Sequence, residues 1–173
     1  MKAPEEHRHK APKELKIAIF TASTSRYEKK KRGEEFRDET GEKSQDILRK
    51  LGYSVDYLGV VNDDIVMIRH TLLEALNRDY DVIIINGGTG LAKRDVTIEA
   101  VEPFLEKRMD GFGEIIRLES YKRIGAAAAM TRAVAGVFHG KVIMALPGSP
   151  DAVETALTIF GKELPHMVFI ARS

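Results

Sequence analysis

The chain has 173 residues, of which 43% are hydrophobic and 31% are charged; this composition is typical of one globular domain and excludes a disordered chain. It contains no cysteine, which excludes disulfides, thiolate catalysis and cysteine-ligated metals. The net charge of +1 gives no electrostatic argument for a nucleic-acid partner, and no stretch approaches the roughly 18 apolar residues of a membrane-spanning helix.

The first fourteen residues are predicted to form a flexible tail, followed by a single domain over residues 15–173. The tail is polar and of mixed charge. It lacks the apolar core of a secretory signal, so we expect a cytoplasmic protein without membrane association. His7 and His9 could ligate a metal, but a solvated tail is the preferred interpretation.

Strands and helices are predicted to alternate along the first half of the domain, because β-branched apolar runs indicate strands and helical apolar spacing indicates helices. The predicted strands are 15–23, 53–61 and 81–86, and the predicted helices are 42–52 and 65–78, the latter with Ile65, Ile68, Leu72, Leu73 and Leu76 on one face. Residues 24–41 are of mixed charge and predict a solvated loop that ligand orders, with a cationic block at Lys29–Arg32.

The second half continues this alternation. Pro103 is expected to end or bend its helix, and Ser149 with Pro150 predicts a capped helix start. The predicted elements are a helix over 96–107, a helix around 113–122, a small-residue turn at 125–130, a strand near 133–138, a strand from 141, and a helix over 150–164 with Val153, Ala156, Leu157 and Phe160 facing inward.

This order of elements predicts an open, mostly parallel α/β sheet. Ligands of such sheets bind beyond the carboxyl ends of the strands. The loops that follow strands are therefore expected to meet at one edge and form a site. These loops are 21–41, 62–64, 86–95 and 146–150.

The sequence "GGTG" (87–90) directly follows the third predicted strand. Adjacent glycines allow backbone N–H groups to converge on an anion, and Thr89 adds a hydroxyl group. The alternative is a tight turn between a strand and a helix. The segment matches neither the P-loop nor the dinucleotide fingerprint, so both interpretations stay open at this point.

Two carboxylates are predicted to lie at the same edge as this loop. Asp63 follows the second strand and Asp95 precedes a helix. Mg²⁺ binds few carboxylates together with phosphate oxygens, which makes both residues candidate metal ligands. Asp95 could instead cap the helix, and Asp63 or Asp64 could be a turn residue.

The segment "ALPGSP" (145–150) offers either an anion site at a helix amino terminus or a plain capped helix start. Glu114 with Arg117, and Thr131 with Arg132, are polar groups beside small residues and would singly be interpreted as surface charges. The scattered histidines are interpreted as structural; they are His70, His139 and His166.

The motifs "DETG", "GGTG" followed by "RDVTIEA", "GFGEIIR", "TRAVAGV" and "LPGSPDAV" occur in an order and spacing that resemble the MoaB/MogA family of molybdenum-cofactor biosynthesis proteins, and its MoaB branch in particular. The likeness extends from about residue 15 to 165. It implies a three-layer α/β/α sandwich with a mostly parallel sheet, assembled as a homotrimer or a trimer-based homohexamer.

The resemblance also implies an activity, that of a molybdopterin adenylyltransferase in a molybdenum or tungsten pathway. Such an enzyme transfers AMP from Mg-ATP to molybdopterin and releases pyrophosphate, with Mg²⁺ as cofactor. Asp63 and Asp95 would be catalytic and would hold the Mg²⁺. The residues implied for substrate and nucleotide binding are Thr21, Ser23, Asp38, Thr40, Gly41, Gly87, Gly88, Thr89, Gly90, Arg94, Glu114, Arg132, Pro147, Gly148 and Ser149, where Thr40 replaces the serine of the family's Asp-x-Ser-Gly and keeps the hydroxyl.

Adenylyl transfer requires phosphates held in line and their charge neutralised, and it requires no cysteine, catalytic triad or general-base histidine. Two alternatives share the fold: a molybdopterin-binding protein without turnover, and a trimeric scaffold. A protein that only binds molybdopterin has no need for both Asp63 and Asp95. A scaffold role is disfavoured because we find no appended linker or domain on which a scaffold would act. A nicotinamide oxidoreductase is disfavoured by the missing fingerprint.

Overall fold

The computed structural model describes residues 9–173, so residues 1–8 of the predicted tail, including His7, lie outside the described residues. The strands are β1 Ile17–Ala22, β2 Val55–Val61, β3 Val82–Asn86, β4 Lys107–Arg108, β5 Val134–Phe138 and β6 Lys141–Leu146. They form one sheet in the order β2-β1-β3-β6-β5-β4. The first four strands of this order are parallel, and β5 and β4 are antiparallel additions at one edge.

Four of the seven helices named here begin at polar residues whose side chains cap them. The seven are α1 Thr24–Lys31, α2 Glu39–Lys50, α3 Ile65–Leu76, α4 Thr97–Val101, α5 Asp110–Ile124, α6 Pro150–Phe160 and α7 Leu164–Arg172. The side chains of Ser23, Asp38, Asp64 and Ser149 accept a hydrogen bond from a first-turn N–H of α1, α2, α3 and α6, which satisfies donors that the helix itself leaves unpaired.

Helices cover both faces of the sheet and make three layers. Ile17 and Ile19 pack on one face with residues of α2, α5, α6 and α7, whereas Ala18 and Phe20 pack on the other with residues of α3 and α4. Each fully buried leucine or isoleucine contributes about 1.5–3 kcal/mol relative to an exposed one. The predicted α/β sandwich with a mostly parallel sheet is confirmed.

The prediction of a loop over 24–41 is wrong, because residues 24–31 form α1 and residues 39–41 begin α2. None of the residues of α1 is buried, so the segment carries no apolar period that would indicate a helix. The cap at Ser23 and the lysines of the last turn favour this helix instead, since cations are stabilised near the carboxyl end of a helix. Leu73 is also misplaced by the sequence prediction, since half of it is exposed.

Other boundaries differ in the second half. The helix predicted over 96–107 ends at Val101 and continues as a 3-10 turn, Glu102–Phe104, that contains Pro103. The last predicted helix is interrupted by another 3-10 turn, Gly161–Glu163, before α7. Strand β4 was not predicted, because its two charged residues carry no strand pattern. Among residues 9–173, no helix has the length and apolar character needed to cross a membrane.

Candidate functional site

The loops that follow β1, β2, β3 and β6 meet at the carboxyl edge of the sheet, as predicted. The chain passes from β1 to β2 on one side and then to β3 on the other, so this is the point at which the strand order reverses. The loops contact each other directly. The Thr40 hydroxyl donates to the Gly148 carbonyl at 2.6 Å, and the Thr24 N–H donates to the Asp63 carboxylate at 3.0 Å.

The glycine loop 87–90 needs glycine for two reasons. Gly87 and Gly88 have φ angles of +89° and +62°, which side chains disfavour. A Cβ on Gly87 would lie 2.6 Å from the carbonyl oxygen of Ala22. The N–H groups of Gly88, Thr89 and Gly90 have no acceptor among residues 9–173, so the loop is a turn that also offers backbone donors to an anion.

Asp63 and Asp95 line the same cavity. One oxygen of Asp63 accepts from the N–H and hydroxyl of Thr24, at 3.0 and 3.3 Å. One oxygen of Asp95 accepts from the Ala92 N–H at 3.0 Å. Asp95 does not cap α4, whose N-cap is Val96 without a side-chain bond. Asp64 is the cap of α3 instead, accepting from the Met67 N–H at 2.9 Å.

This arrangement leaves a second oxygen on each carboxylate of the Asp63–Asp95 pair for a cation. Within residues 9–173 no cluster of three or more His, Cys, Asp and Glu side chains could hold a metal ion. A metal at this pair would therefore take most of its ligands from substrate phosphates and water. Mg²⁺ is bound in this manner in phosphoryl-transfer sites, and the oxygen donors of the pair fit it.

Two cavities meet at Gly88, Asp95 and Gly148. The polar cavity has a volume of about 420 Å³ and is lined by Thr21, Ala22, Ser23, Thr24, Ser25, Arg26, Asp63, Gly87, Gly88, Arg94, Asp95 and Gly148. The larger cavity has a volume of about 700 Å³ and is lined by Gly88, Thr89, Gly90, Asp95, Ser120, Arg123, Ile124, Met130, Thr131, Arg132, Pro147, Gly148, Ser149, Asp151, Ala152 and Thr155. Each is large enough for a small-molecule ligand.

Most of the predicted site residues line these cavities, and four do not. Asp38, Thr40 and Gly41 lie at the start of α2 and line neither cavity. Asp38 accepts from the Gly41 N–H at 3.1 Å, and the Thr40 hydroxyl donates to the Gly148 carbonyl. Asp38 is buried, and its second oxygen has no hydrogen-bond partner among residues 9–173. Glu114 is exposed on α5 and lines neither cavity.

Arg132 joins the glycine loop to α4. Its Nε donates to the Thr89 carbonyl at 2.9 Å, and its two Nη atoms donate to Glu99 Oε1 at 2.8 and 2.7 Å. Burial acts to raise the pKa of Glu99, but hydrogen bonds from Arg132 and the backbone, with the Arg132 charge, outweigh it and hold that pKa below its ordinary value. The pair is therefore ionised at neutral pH.

Several residues at this edge were missed by sequence reasoning. Asn86 ends β3, is fully buried, and donates to the Ser44 hydroxyl at 2.9 Å. A polar residue at the end of the apolar run "VIII" was a usable signal. Thr24 and Arg26 lie in the segment 21–41 that was expected at this edge, but they were not singled out. Arg123 carried no signal, because only the fold brings it to the larger cavity.

The histidines interpreted as structural lie outside both cavities. His70 and His139 are exposed, and each lies near a glutamate. His166 on α7 lies 3.3 Å from Glu163. None of the three is placed to act on a ligand in the cavities.

Comparison with known proteins identifies relatives along nearly the whole chain. Residues 18–166 match the family model described as a probable molybdopterin binding domain. The molybdopterin adenylyltransferase of Pyrococcus furiosus is 39% identical over 97% of this chain and 98% of its own length. The molybdenum cofactor biosynthesis protein B of Halalkalibacterium halodurans is 44% identical over 95% of this chain and 94% of its own.

Solved structures give the same result. The tungsten cofactor synthesizing protein MoaB from Pyrococcus furiosus superimposes with a TM-score of 0.83 at 37% identity, covering 94% of this chain and all of that one.

Proposed function

The chain belongs to the family of probable molybdopterin binding domains, with MoaB proteins as its relatives, and we propose that it is a molybdopterin adenylyltransferase of molybdenum or tungsten cofactor biosynthesis. In this reaction a terminal phosphate oxygen of molybdopterin attacks the α-phosphorus of ATP. A new P–O bond forms, the bond to the β-phosphate breaks, and pyrophosphate leaves.

The observation that carries this proposal is the meeting of two cavities at one point. A reaction between two phosphorylated substrates needs a binding volume for each and a shared region for the reacting groups. The polar and the larger cavity share Gly88, Asp95 and Gly148. Free N–H groups of the glycine loop lie at this junction, where they would stabilise negative charge on the transferred phosphoryl group.

Asp63 and Asp95 would hold Mg²⁺ in this proposal. When bound, the ion supplies charge neutralisation for the phosphates of ATP. The chain's own contribution is to orient the two carboxylates, through Thr24 for Asp63 and the Ala92 N–H for Asp95. Arg26 and Arg94 line the same cavity and would attract the polyphosphate.

Incubation of the purified protein with Mg-ATP and molybdopterin tests the proposal. We expect pyrophosphate release that requires molybdopterin, together with a product heavier than molybdopterin by one AMP. ATP without molybdopterin is the control. Bound molybdopterin without pyrophosphate would make the chain a binding protein, and failure to bind molybdopterin would overturn the proposal altogether.

We further propose a trimer or trimer-based hexamer that acts in the cytoplasm, where ATP is abundant. An exposed apolar face supports association, because soluble monomers seldom leave such a face uncovered. It lies on α5, where Ile115, Leu118, Tyr121 and Ile124 are exposed. The apolar residues of α6 are instead buried against the sheet, so this helix is not the contact surface.

A further inference from the structure

Each of the three guanidinium nitrogens of Arg132 donates a hydrogen bond to the protein itself. Its Nε donates to the Thr89 carbonyl, and both Nη atoms donate to one oxygen of Glu99. Glu99 lies on α4, and its backbone carbonyl accepts from Arg69 Nη2 of α3 at 3.1 Å. A chain of hydrogen bonds thus connects two helices, the start of β5 and the glycine loop.

The carbonyl held by Arg132 determines the direction of a loop donor. Among residues 9–173 the donor to the Thr89 carbonyl is this side chain and not a backbone N–H. In a trans peptide the carbonyl and the next N–H point in opposite directions. Arg132 therefore fixes the direction of the Gly90 N–H, which has no acceptor among residues 9–173.

The charge of Arg132 is compensated, unlike that of its neighbours. Glu99 lies 2.7 Å from Arg132 Nη2. Arg94 and Arg123 line the two cavities and have no acidic partner within 4.0 Å among residues 9–173. A phosphate that sought a cation would find it in these two side chains, and at Arg132 it would have to displace Glu99.

We propose that Arg132 is a positioning residue for adenylyl transfer, which clamps the Thr89–Gly90 peptide to α4 and does not itself bind substrate. This inference rests on the proposed function and replaces the substrate contact expected from the sequence. The glycine loop has backbone conformations that side chains disfavour and few internal bonds. Its donor geometry consequently depends on the Arg132–Glu99 clamp.

Amide hydrogen exchange of the free protein tests the clamp without any turnover. Arg132→Lys keeps the charge but cannot donate to Thr89 and Glu99 in the same forked geometry. The amides that hold the glycine loop are the Gly87 N–H, which donates to the Leu146 carbonyl, and the Thr97 N–H, which donates to the Gly88 carbonyl, each at 2.9 Å; their exchange is expected to accelerate. Glu99→Gln should have the same effect. Arg108→Lys is the matched control, since Arg108 on β4 pairs with Glu102 of the preceding 3-10 turn and lines neither cavity. Unchanged exchange in both clamp variants would overturn the proposal.

Kinetics then separate positioning from substrate binding. A misplaced donor lowers kcat, by up to about 100-fold, while the KM for each substrate changes little. Because Arg132 and Glu99 act as one unit, the double variant should be no slower than the slower single variant. If Arg132 instead bound substrate, Glu99→Gln would free the charge of Arg132, and KM would stay the same or fall. Arg132→Lys would then raise KM with little loss of kcat. That pattern would overturn the clamp but not the proposed function.

An inactive wild type would overturn the proposed function. The hydrogen-exchange result would remain valid, because it is measured without turnover.

Discussion

At the scale of single residues, the site depends on side chains that use one polar atom in a hydrogen bond within the protein and leave another for a ligand. Asp63 and Asp95 each have one oxygen that accepts from a backbone N–H and one oxygen without a donor among residues 9–173. Asp64, next in the chain, caps α3 by accepting from the Met67 N–H and lines neither cavity. Adjacent aspartates therefore have different functions because one points to the cavity and the other to a helix amino terminus.

Asp95→Asn should separate catalysis from stability. Asparagine keeps an oxygen that can accept from the Ala92 N–H, so the melting temperature should change little. The loss of negative charge should lower pyrophosphate release by orders of magnitude if Asp95 holds Mg²⁺. Asp64→Asn is the control, because asparagine is also a good helix cap and should keep most of the activity. A variant that melts much earlier but keeps its specific activity would show that Asp95 is structural.

Glu99 gives a pH dependence of stability with a defined sign. Its pKa is lowered in the folded protein, so its contribution is present above the ordinary glutamate pKa of about 4.3 and is lost as pH falls through the folded pKa. Because the side chain is 45% exposed, Glu99→Gln should cost less than about 1 kcal/mol of unfolding free energy at pH 7. Urea titrations at pH 7 and pH 3 should show a smaller difference from wild type at the lower pH. A difference that grows at pH 3 would contradict the ion pair.

At the scale of elements, the site is made by loops whose backbone is specified by glycine and whose ends are fixed by capped helices. Apolar runs predicted β1, β3 and β6, because strands covered on both faces carry uninterrupted hydrophobic sequence. The same logic missed α1, which buries nothing. It also missed the Arg132–Glu99 pair, because 33 residues separate the partners and only the sheet order brings them together.

Gly88→Ala should destabilise the protein through the glycine loop. The φ angle of Gly88 is +62°, and an added Cβ would lie 2.4 Å from Thr97 Oγ1 and 2.9 Å from Asp63 Oδ1. Backbone strain of this kind costs about 1–3 kcal/mol. Gly111→Ala in the first turn of α5 is the matched control, because an added Cβ there meets nothing within 4 Å. Equal unfolding free energies for the two variants in urea would contradict this account.

The cationic block Lys29–Arg32 has a new position now that residues 24–31 are helical. The amino terminus of α1 borders the polar cavity, and the lysines lie in its last turn, about 10 Å further along the axis at 1.5 Å per residue. Neutralising the block should therefore slow substrate association at low salt only, since exposed charges are screened beyond about 10 Å at 0.1 M. Arg26→Gln, at the cavity, should weaken substrate binding at both low and high salt. A salt-independent effect of the block would place it in direct contact with substrate.

At the scale of the whole molecule, sequence predicts the sheet and its active edge but not the surface through which copies associate. The sequence of α6 is strongly apolar, yet α6 buries most of its apolar residues within the subunit. Exposed apolar residues are informative only when the fold shows which remain uncovered. On α5 they are spaced three apart, so that successive members adjoin on the helix surface, and they continue to Met130 beside the larger cavity.

This face on α5 yields the last prediction, which concerns assembly. Light scattering of the wild type should give a mass that is a multiple of three chains of 19.3 kDa. Leu118 is 62% exposed in the single chain, and Leu118→Glu would place an unpaired charge in the contact and should yield a smaller species. Val66→Glu on α3 is the control, since Val66 is 70% exposed and lies outside the face, so its mass should equal that of the wild type. A wild type that is monomeric at micromolar concentration would contradict assembly, and a Leu118→Glu variant of unchanged mass would move the contact away from α5.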